Sequence, residues 1–388
     1  MLTLRPYQEQ AVKAGLTFFK GGASGGGIIV LPTGAGKSLV IANIAKELGQ
    51  PLLVLQPSKE ILEQNFKKLR DYGYFDIGVF SASFNRKEIR SVTFATIGSI
   101  VRQKQKFAKF NFCIVDECHW VNAKGGMYED FITETRMKVL GLTATPYRSY
   151  SSQNFGCMQR FITRTRPRIF TQVLYYCQVA ELSRQGFLAP MEYYNVKSGL
   201  DTSQLKVNST YSDYTDESVR KAYEQINFCD KLTNIIERLL IKKRTVLVFT
   251  RFVQEADYCA KKIGKKAALV YSGMKKAERE SILARFKSGD INVVLNVGIL
   301  TTGFDMPALD TVVLGRPTMS LSLYYQMVGR AIRPYPNKVG WIVDLCGSYQ
   351  RFGRVEDMEL RFTDKGQPAY FTGKGTQSKQ LTNVFFKR

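Results

Sequence analysis

The feature that most constrains this chain is a short apolar run that leads through a glycine-containing loop into an amphipathic pattern. Residues 27–31 (GIIVL) predict a buried strand, residues 37–48 predict a helix, and PTGAGKS at 32–38 joins them. Glycines in such a loop let the backbone curl so that its N–H groups face an anion, and the helix N-terminus adds a favourable dipole. The segment therefore predicts a phosphate-binding loop in an α/β domain.

Two side chains of this loop suit a nucleoside triphosphate with Mg²⁺. Lys37 is placed to reach the β- and γ-phosphates, and the Ser38 hydroxyl is placed to hold the metal ion. The strict phosphate-loop pattern G-x-x-x-x-G-K-[ST] requires glycine at position 31, where this chain has Leu31. Taken alone, the loop leaves a nucleotide site and a chance match both open.

A second chemical signal follows the strand predicted at 112–115. The strand ends in DECH at 116–119, and a carboxylate at the tip of a strand beside a phosphate loop suits Mg²⁺ coordination. Asp116 is then the metal-binding carboxylate, and Glu117 orients and deprotonates the attacking water. The alternative is a solvated acidic turn. Together with the phosphate loop, the pair predicts hydrolysis of a nucleoside triphosphate.

Strand and helix patterns alternate in two separate parts of the chain. Predicted strands lie at 27–31, 52–55, 92–95, 112–115 and 139–142 in the first part, and at 245–249, 267–271, 291–295 and 311–314 in the second. Such alternation predicts parallel sheets with helices on both faces. We expect an α/β chain with domains at 1–165 and 231–388, joined by a polar bridging segment at 166–230.

The charge of the chain indicates a polyanionic partner. The net charge is +23, from 56 Lys and Arg against 33 Asp and Glu, which favours nucleic acid first and an acidic membrane surface second. No acidic residue occurs between positions 135 and 180, and residues 81–110 hold a single one, Glu88, among their basic residues. These stretches predict contacts with phosphates; for any one lysine, an ordinary solvated surface is the alternative.

The cysteines and the histidine exclude other classes of function. The seven cysteines are odd in number and show no C-x-x-C spacing, which argues against a disulfide framework and a zinc ribbon. His119 is the only histidine in the sequence, so a Ser-His-Asp mechanism is improbable. No apolar run approaches the roughly 18 residues of a membrane span, and no secretory signal is visible. We expect reduced thiols and a cytoplasmic protein.

The ordered motifs resemble those of the superfamily 2 helicases. DECH at 116–119 resembles the DExH box, and residues 33–38 resemble motif I, in which the position of Leu31 is commonly not glycine. The other motifs follow in order: RPYQ at 5–8 (the Gln motif), QPSKE at 56–60 (Ia), ATI at 95–97 (Ib), TATP at 143–146 (III), VFT at 248–250 (IV), NVGILTTGFD at 296–305 (V) and QMVGRAIR at 326–333 (VI). Lys59 departs from the arginine common in motif Ia. The chain looks most similar to bacterial RadD-type DNA-repair helicases and their phage relatives.

The resemblance implies two tandem RecA-like parallel-sheet domains that hold ATP and Mg²⁺ between them. It implies catalytic roles for Glu117, Lys37, Gln326, Arg330 and Arg333; nucleotide contacts from Arg5, Gln8, Thr33, Gly34, Ala35, Gly36, Lys37, Ser38, Gly303 and Asp305; and metal binding by Ser38 and Asp116. It implies coupling through His119, Thr143 and Thr145, and nucleic-acid contacts from Lys59, Thr96, Arg148, Arg160, Arg164, Arg166, Arg168 and Thr301. In this scheme Gln8 reads the adenine edge, His119 contacts Gln326, and Arg330 and Arg333 act as arginine fingers.

The implied function is that of an ATP-dependent DNA helicase or translocase in repair, recombination or replication. Its expected partner is single-stranded, forked or branched DNA, without a membrane. No residue pattern reads a 2′-hydroxyl, so the choice of DNA over RNA rests on the resemblance. An RNA helicase remains an alternative, as does a non-unwinding, ATP-gated motor module of a larger complex.

Overall fold

The computed structural model describes residues 3–74, 76–122, 125–152, 154–242, 244–301, 303–373 and 378–386. The chain divides into two compact units, each built around its own parallel sheet. The first comprises Met1–Arg148, Arg160–Gln178 and Leu360–Ala369; the second comprises Ser149–Gln159, Val179–Glu359 and Tyr370–Arg388.

The first unit contains an eight-stranded sheet with the order β10-β1-β7-β6-β2-β5-β3-β4. Its strands are β1 Gly26–Val30, β2 Leu52–Gln56, β3 Ile77–Ser81, β4 Arg86–Lys87, β5 Val92–Thr96, β6 Phe112–Asp116, β7 Lys138–Thr143 and β10 Phe170–Tyr176. Its helices are α1 Pro6–Lys20, α2 Lys37–Leu48, α3 Lys59–Asp71, α4 Ile97–Ile100 and α5 Met127–Thr135. All described pairings are parallel except that of the short edge strand β4 with β3.

Local sequence explains where the elements around the phosphate loop begin. Strands β1 and β2 are buried along their whole length, as expected of parallel strands covered on both faces. Helix α3 begins after Ser58, whose hydroxyl accepts a hydrogen bond from the Ile61 N–H. Helix α1 begins with Pro6 at its first position, where the missing N–H costs nothing. The strand, loop and helix predicted around the phosphate loop are confirmed.

The second unit contains a six-stranded, all-parallel sheet with the order β11-β16-β15-β12-β14-β13. Its strands are β11 Met191–Asn195, β12 Val246–Thr250, β13 Ala267–Tyr271, β14 Val293–Val297, β15 Thr311–Gly315 and β16 Gly340–Asp344. Its helices are α6 Val179–Arg184, α7 Asp216–Gln225, α8 Phe228–Ile241, α9 Val253–Ile263, α10 Lys276–Ser288, α11 Leu321–Val328 and α12 Ser348–Phe352. The expected α/β class with two RecA-like parallel-sheet domains is confirmed.

The remaining strands form two small sheets. Strands β8 Tyr147–Ser152, β9 Gly156–Phe161 and β20 Phe385–Phe386 make one, and β17 Glu359–Phe362, β18 Pro368–Thr372 and β19 Lys379–Gln380 make the other. The predicted bridging segment 166–230 contributes β10 to the first large sheet and β11 to the second. Sequence periodicity did not reveal these edge strands, since most of their residues are half-buried or exposed and polar or aromatic. The domain limits 1–165, 166–230 and 231–388 remain a prediction.

The described cysteines are all free thiols, as expected, and six of the seven are buried. Within the ranges that the structure describes, no helix has both the length and the apolar character that a membrane crossing requires.

Candidate nucleotide-binding site

The phosphate loop runs from the end of β1 to the start of α2 and depends on two left-handed glycines. Gly34 has φ 84° and Gly36 has φ 81°, a region that residues with a side chain rarely adopt. A Cβ on Gly36 would also lie 2.5 Å from the Gln8 Nε2 atom, which is closer than packing allows. Backbone geometry therefore favours glycine at both positions, and at Gly36 the space that Gln8 occupies favours it as well.

Side chains of helix α1 support this loop through hydrogen bonds. The Tyr7 hydroxyl and the Gln8 Nε2 group each donate a hydrogen bond of 2.9 Å to the Ala35 carbonyl. The Gln8 Oε1 atom accepts from the Arg5 N–H at 2.9 Å, and the Arg5 guanidinium donates to the Tyr7 hydroxyl at 3.4 Å. Burial raises the pKa of Tyr7. Thus Arg5 and Gln8 position the loop, and reading of adenine by Gln8 remains a prediction. The role of Tyr7 was missed, although an aromatic residue beside Gln8 in the buried stripe of α1 was the available signal.

The metal-binding pair predicted from sequence meets at a third residue, Asn65 of α3. The Ser38 hydroxyl donates to the Asn65 Oδ1 atom at 2.5 Å, and the Asn65 Nδ2 group donates to the Asp116 Oδ2 atom at 2.9 Å. Asn65 and Asp116 are buried, with 5% and 4% of their surfaces exposed. One amide therefore holds a hydroxyl and a carboxylate oxygen close together, and these oxygen donors suit Mg²⁺.

Asn65 was not predicted from the sequence, yet its position carried a signal. The residue lies in the apolar stripe of α3 with Ile61, Leu62 and Leu69, all of which are buried. A polar side chain in such a stripe needs a hydrogen-bonding partner, because burying an unpaired amide is costly. The pattern marks Asn65 as special, but only the tertiary structure names its partners.

The charged groups beside Ser38 and Asp116 lie close to one another. The Lys37 ammonium lies 3.3 Å from the Glu117 Oε1 atom, and the His119 Nδ1 atom lies 3.3 Å from the Glu117 Oε2 atom. Burial by itself would raise the pKa of Glu117, but Lys37 and then His119 outweigh it and hold that pKa well below its usual range. Burial, followed by the charge of Glu117, raises the pKa of Asp116 to about 6. Glu117 is therefore ionised throughout the neutral range, and Asp116 is the carboxylate of the pair that takes up a proton first as the pH falls towards about 6.

The predicted coupling residues form a hydrogen-bonded network with Glu117. The Thr143 hydroxyl lies 2.9 Å from the His119 Nδ1 atom and 3.4 Å from the Glu117 Oε2 atom. The Thr145 hydroxyl lies 3.3 Å from the same His119 nitrogen, and the Thr145 N–H donates to the Thr143 hydroxyl at 3.0 Å. Both threonines are fully buried. Glu117 itself has φ 49°, so the turn after β6 aims its side chain at this network. The contact of His119 with Gln326 remains a prediction.

In the second unit, the predicted arginine fingers bind the loop of motif V. The Arg330 Nη1 group donates to the Phe304 carbonyl at 2.7 Å, and its Nε group donates to the Gln326 carbonyl at 3.3 Å. Arg333 forms an ion pair with Asp305, and burial lowers the pKa of Arg333 to about 10. Motifs V and VI are therefore one connected cluster within the second unit.

Two further motif V residues flank this cluster. Gly303 has φ 71°, which lets the loop turn towards Asp305, and Thr301 is half-buried in the turn before it. Thr302, part of the same motif, lies outside the described residues. Nucleotide contact by Gly303 and Asp305 and nucleic-acid contact by Thr301 remain predictions.

Two predicted nucleic-acid contacts lie at the carboxyl edge of the first sheet. Lys59 begins α3 just after β2 and lies 3.8 Å from the Glu63 carboxylate. Thr96 ends β5, and its hydroxyl lies 2.9 Å from the Ser99 hydroxyl and 3.2 Å from the Ser81 hydroxyl. Because parallel strands end at the same edge, both residues lie on the side of the sheet that carries Asp116.

The predicted arginine run follows one flank of this sheet. The Ile162 N–H donates to the Pro146 carbonyl, which ties the turn Ile162–Arg164 to the segment leaving β7 at its carboxyl end. Arg168, by contrast, comes two residues before β10, where the Ile169 carbonyl accepts from the first residue of β1. The run therefore extends from the carboxyl edge towards the amino edge of the sheet.

These arginines differ in exposure and in contacts. Arg164, Arg166 and Arg168 are exposed, and Arg160 is half-buried. Partial burial, and then the charges of Arg160 and Arg166, lowers the pKa of Arg164, so these three cations lie near one another. Arg148 lies near the carboxyl edge as well, and its guanidinium donates to the Trp120 carbonyl at 2.9 Å. Such a concentration of positive charge suits a phosphate backbone.

Asn65→Ala tests the metal pair. The substitution removes the amide that holds Ser38 and Asp116, and loss of such a supporting partner typically weakens metal affinity about 10–100-fold. We expect the Mg²⁺ concentration for half-maximal binding of a fluorescent ATP analogue to rise by about tenfold or more. Gln64→Ala on the same helix is the matched control. An unchanged Mg²⁺ dependence in a folded Asn65→Ala protein contradicts the assignment.

Sequence comparison finds helicase-type matches in both parts of the chain. The family model described as "Type III restriction enzyme, res subunit" matches residues 1–148, and "Helicase conserved C-terminal domain" matches residues 227–335. The chain is 26% identical to the ATP-dependent helicase IRC3 of Saccharomyces cerevisiae, over 89% of this chain and 52% of that protein. It is 25% identical to the DNA 3′-5′ translocase XPB2 of Sulfurisphaera tokodaii, over 86% and 79% respectively. The chain thus spans about half the length of the yeast relative.

Structural comparison agrees at the level of the fold. A fragment of an HsdR subunit of a type I restriction enzyme from Vibrio vulnificus superposes with a TM-score of 0.68 at 22% identity, over 95% of this chain and 70% of that one. The matches support an ATP-hydrolysing enzyme of the helicase type. Two family models match successive parts of this chain, and relatives named as helicases or translocases align with most of it, so the chain is similar to helicases along most of its length.

Proposed function

We propose that this chain is an ATP-dependent DNA helicase or translocase, of the DExH type and similar to RadD-type repair helicases. The observation that carries the proposal is the chain of hydrogen bonds Ser38–Asn65–Asp116 beside the Lys37–Glu117 ion pair. This geometry supports a site for a triphosphate and Mg²⁺. The similarity to proteins named as helicases and translocases supports the coupling of this site to movement on DNA.

The described residues fit ATP with Mg²⁺. The left-handed conformations of Gly34 and Gly36 curl the loop before α2, and loops of this kind bind phosphates through backbone N–H groups; Ser38 and Asp116 supply oxygen ligands that would hold the metal ion. When bound there, Mg²⁺ would neutralise part of the negative charge of the triphosphate. Lys37 has a flexible stem, so its ammonium can exchange between Glu117 and a phosphate while the loop backbone stays in place.

Glu117 is the proposed proton acceptor. It is ionised, held by Lys37 and His119, and located next to the metal-binding Asp116. From this position its carboxylate orients the attacking water and takes its proton as the γ-phosphate is transferred. Thr143 and His119 fix the direction of the carboxylate and pass a change at the phosphate to the segment that follows β7.

The second unit is proposed to supply positive charge for the same reaction. Phosphoryl transfer develops charge on the γ-phosphate oxygens, and an arginine finger stabilises that charge. Arg333 is held by Asp305 and Arg330 by the Phe304 carbonyl, so release of either guanidinium requires a rearrangement of the motif V loop. We propose that ATP-driven closure of the two domains, 1–165 and 231–388, transfers these guanidinium groups from the motif V loop to the phosphate. The same closure is proposed to drive movement along DNA.

A second candidate is a motor module of a larger complex, which translocates on DNA without separating its strands. The match of residues 1–148 to a restriction-enzyme subunit and the half-length coverage of the yeast relative favour this candidate. Displacement of a third strand from a DNA triplex reports translocation, whereas displacement of one strand of a fork reports unwinding. Triplex displacement without fork unwinding would favour the module.

The proposed function predicts that nucleic acid stimulates ATP hydrolysis. Contacts that are mainly to phosphates weaken steeply with salt, so the stimulation should fall steeply between low and physiological salt. The measurement is steady-state ATPase activity with single-stranded, duplex, forked and four-way DNA and with matched RNA. Hydrolysis that no DNA stimulates at low salt contradicts the motor function, and stimulation by RNA alone makes the chain an RNA helicase.

Glu117→Gln tests the proton acceptor. The amide keeps the shape of the side chain and cannot take a proton, so steady-state hydrolysis should fall by at least about 100-fold while ATP binding persists. Asp130→Asn, an exposed acidic residue of α5, is the control and should behave as the parent protein. Normal turnover by Glu117→Gln would remove Glu117 from this role.

Arg164→Ala, compared with Arg168→Ala, tests whether bound nucleic acid follows a track along the carboxyl edge of the first sheet. Both residues are exposed arginines of the same run, but only Arg164 belongs to the turn tied to the carboxyl end of β7. The logarithm of the binding constant falls linearly with the logarithm of the salt concentration, and loss of one phosphate contact should reduce the size of this slope for single-stranded DNA by about 0.7. We expect this reduction, measured by fluorescence anisotropy over a salt series, for Arg164→Ala and a smaller one for Arg168→Ala. Equal slopes in both variants contradict a track that follows the carboxyl edge.

A further inference from the structure

We propose that five side chains beside motifs Ia and Ib form a stacking site for the bases of single-stranded DNA. They are the aromatic residues Phe66 and Phe84 and the basic residues Lys59, Arg70 and Arg86, here named the aromatic–basic platform. The inference rests on the proposed function, because it specifies how the same chain holds the strand on which it moves. It adds a base-contacting element to a surface otherwise expected to contact phosphates.

The platform is a closely packed set of rings and cations. The centroids of the Phe66 and Phe84 rings lie 6.4 Å apart in an edge-on arrangement. The Arg86 guanidinium lies 5.7 Å from both ring centroids, the Lys59 ammonium 5.9 Å from that of Phe84, and the Arg70 guanidinium 6.0 Å from that of Phe66. Cation–π attraction therefore holds positive charge against both rings.

The surroundings leave the platform open to a ligand. Arg70 and Arg86 are exposed, and the two phenylalanines are half-buried, so part of each ring is accessible. Within the described part of the chain, the contacts of the Arg86 guanidinium are with these two rings and not with a carboxylate. Two acidic residues of these segments have basic partners: Glu88 pairs with Arg90, and Glu63 lies 3.8 Å from Lys59.

Backbone geometry explains the position of Phe84 and Arg86. Phe84 ends the short turn Ala82–Phe84, and Asn85, with φ 54°, reverses the chain into β4. The Ala82 N–H donates to the Ser99 hydroxyl at 2.9 Å, which ties this turn to the segment after β5. The Ser81 hydroxyl, at the end of β3, lies 3.2 Å from that of Thr96. The Phe84 end of the platform therefore lies with Lys59 at the carboxyl edge of the sheet, near Thr96, and both Lys59 and Thr96 are predicted to contact nucleic acid.

The chemistry of the platform selects a single nucleic-acid strand among polyanions, and the choice of DNA rests on the proposed function. Ring faces offer stacking to any base, and adjacent cations offer contacts to the flanking phosphates, which together bind a single strand with little sequence preference. In a duplex the base faces are stacked on one another and are not available to Phe84. A free phosphate or a purely charged surface has no base that could stack on the two rings.

The test compares Phe84→Ala and Arg86→Ala with Lys87→Ala. Arg86 and Lys87 are adjacent exposed residues of β4, and successive strand residues point to opposite faces, so Lys87→Ala removes the same charge from the other face. The probes are a fluorescein-labelled oligothymidine and an abasic deoxyribose-phosphate chain of equal length, with binding measured by fluorescence anisotropy. Thermal unfolding verifies that each variant is folded.

Stacking of one base is worth enough that Phe84→Ala should weaken binding of oligothymidine by about tenfold and leave the abasic chain nearly unaffected. Arg86→Ala should weaken binding of both probes by more than Lys87→Ala does. Phe84→Trp, which keeps an aromatic face, should restore the binding of oligothymidine that Phe84→Ala loses.

Two outcomes contradict the platform and leave the proposed function intact. In the first, Phe84→Ala binds oligothymidine as tightly as Lys87→Ala does; in the second, Phe84→Ala loses the same affinity for both probes. In each case the parent protein still binds DNA and its ATPase is still stimulated. If the parent protein neither binds oligothymidine nor shows DNA-stimulated ATPase activity, the proposed function itself is contradicted. The failures of the two proposals are therefore distinguishable.

Discussion

The candidate site depends on one buried amide. Asn65 accepts from Ser38 on the phosphate loop and donates to Asp116 at the tip of β6, so a single side chain of α3 links two segments that are far apart in sequence. A buried amide left without partners is costly, which makes this bridge a constraint on how α3 packs against the sheet. The positions of the loop and of the acidic pair are thereby coupled.

The direction of the strands explains why separate motifs converge. In the first sheet, β2, β5, β6 and β7 run parallel, so the residues that follow them gather along one edge. Asp116, Thr96 and Thr143 share that edge for this reason. The second unit repeats the principle with motifs V and VI, where Arg330 and Arg333 bind the loop that contains Phe304 and Asp305.

The positive charge has a more specific distribution than the total of +23 conveys. Some cations of the basic stretches are paired with carboxylates, as Arg90 is with Glu88 and Asp76 and Lys104 is with Glu134. Others, such as Arg86, lie against aromatic rings instead. A net charge attracts a polyanion over a distance, but the local partners of each cation decide where a strand can be held.

The sequence by itself determined the α/β class, the phosphate loop and the acidic pair, because these depend on local periodicity and on residues adjacent in the chain. The helix limits Lys37–Leu48 match those expected from the pattern. Only the tertiary structure decided that Asn65 joins Ser38 to Asp116, that Gln8 and Tyr7 support the loop, and that β10 and β11 complete the sheets. These features are contacts between distant segments, and they arise from the way that strands and helices pack rather than from any local pattern.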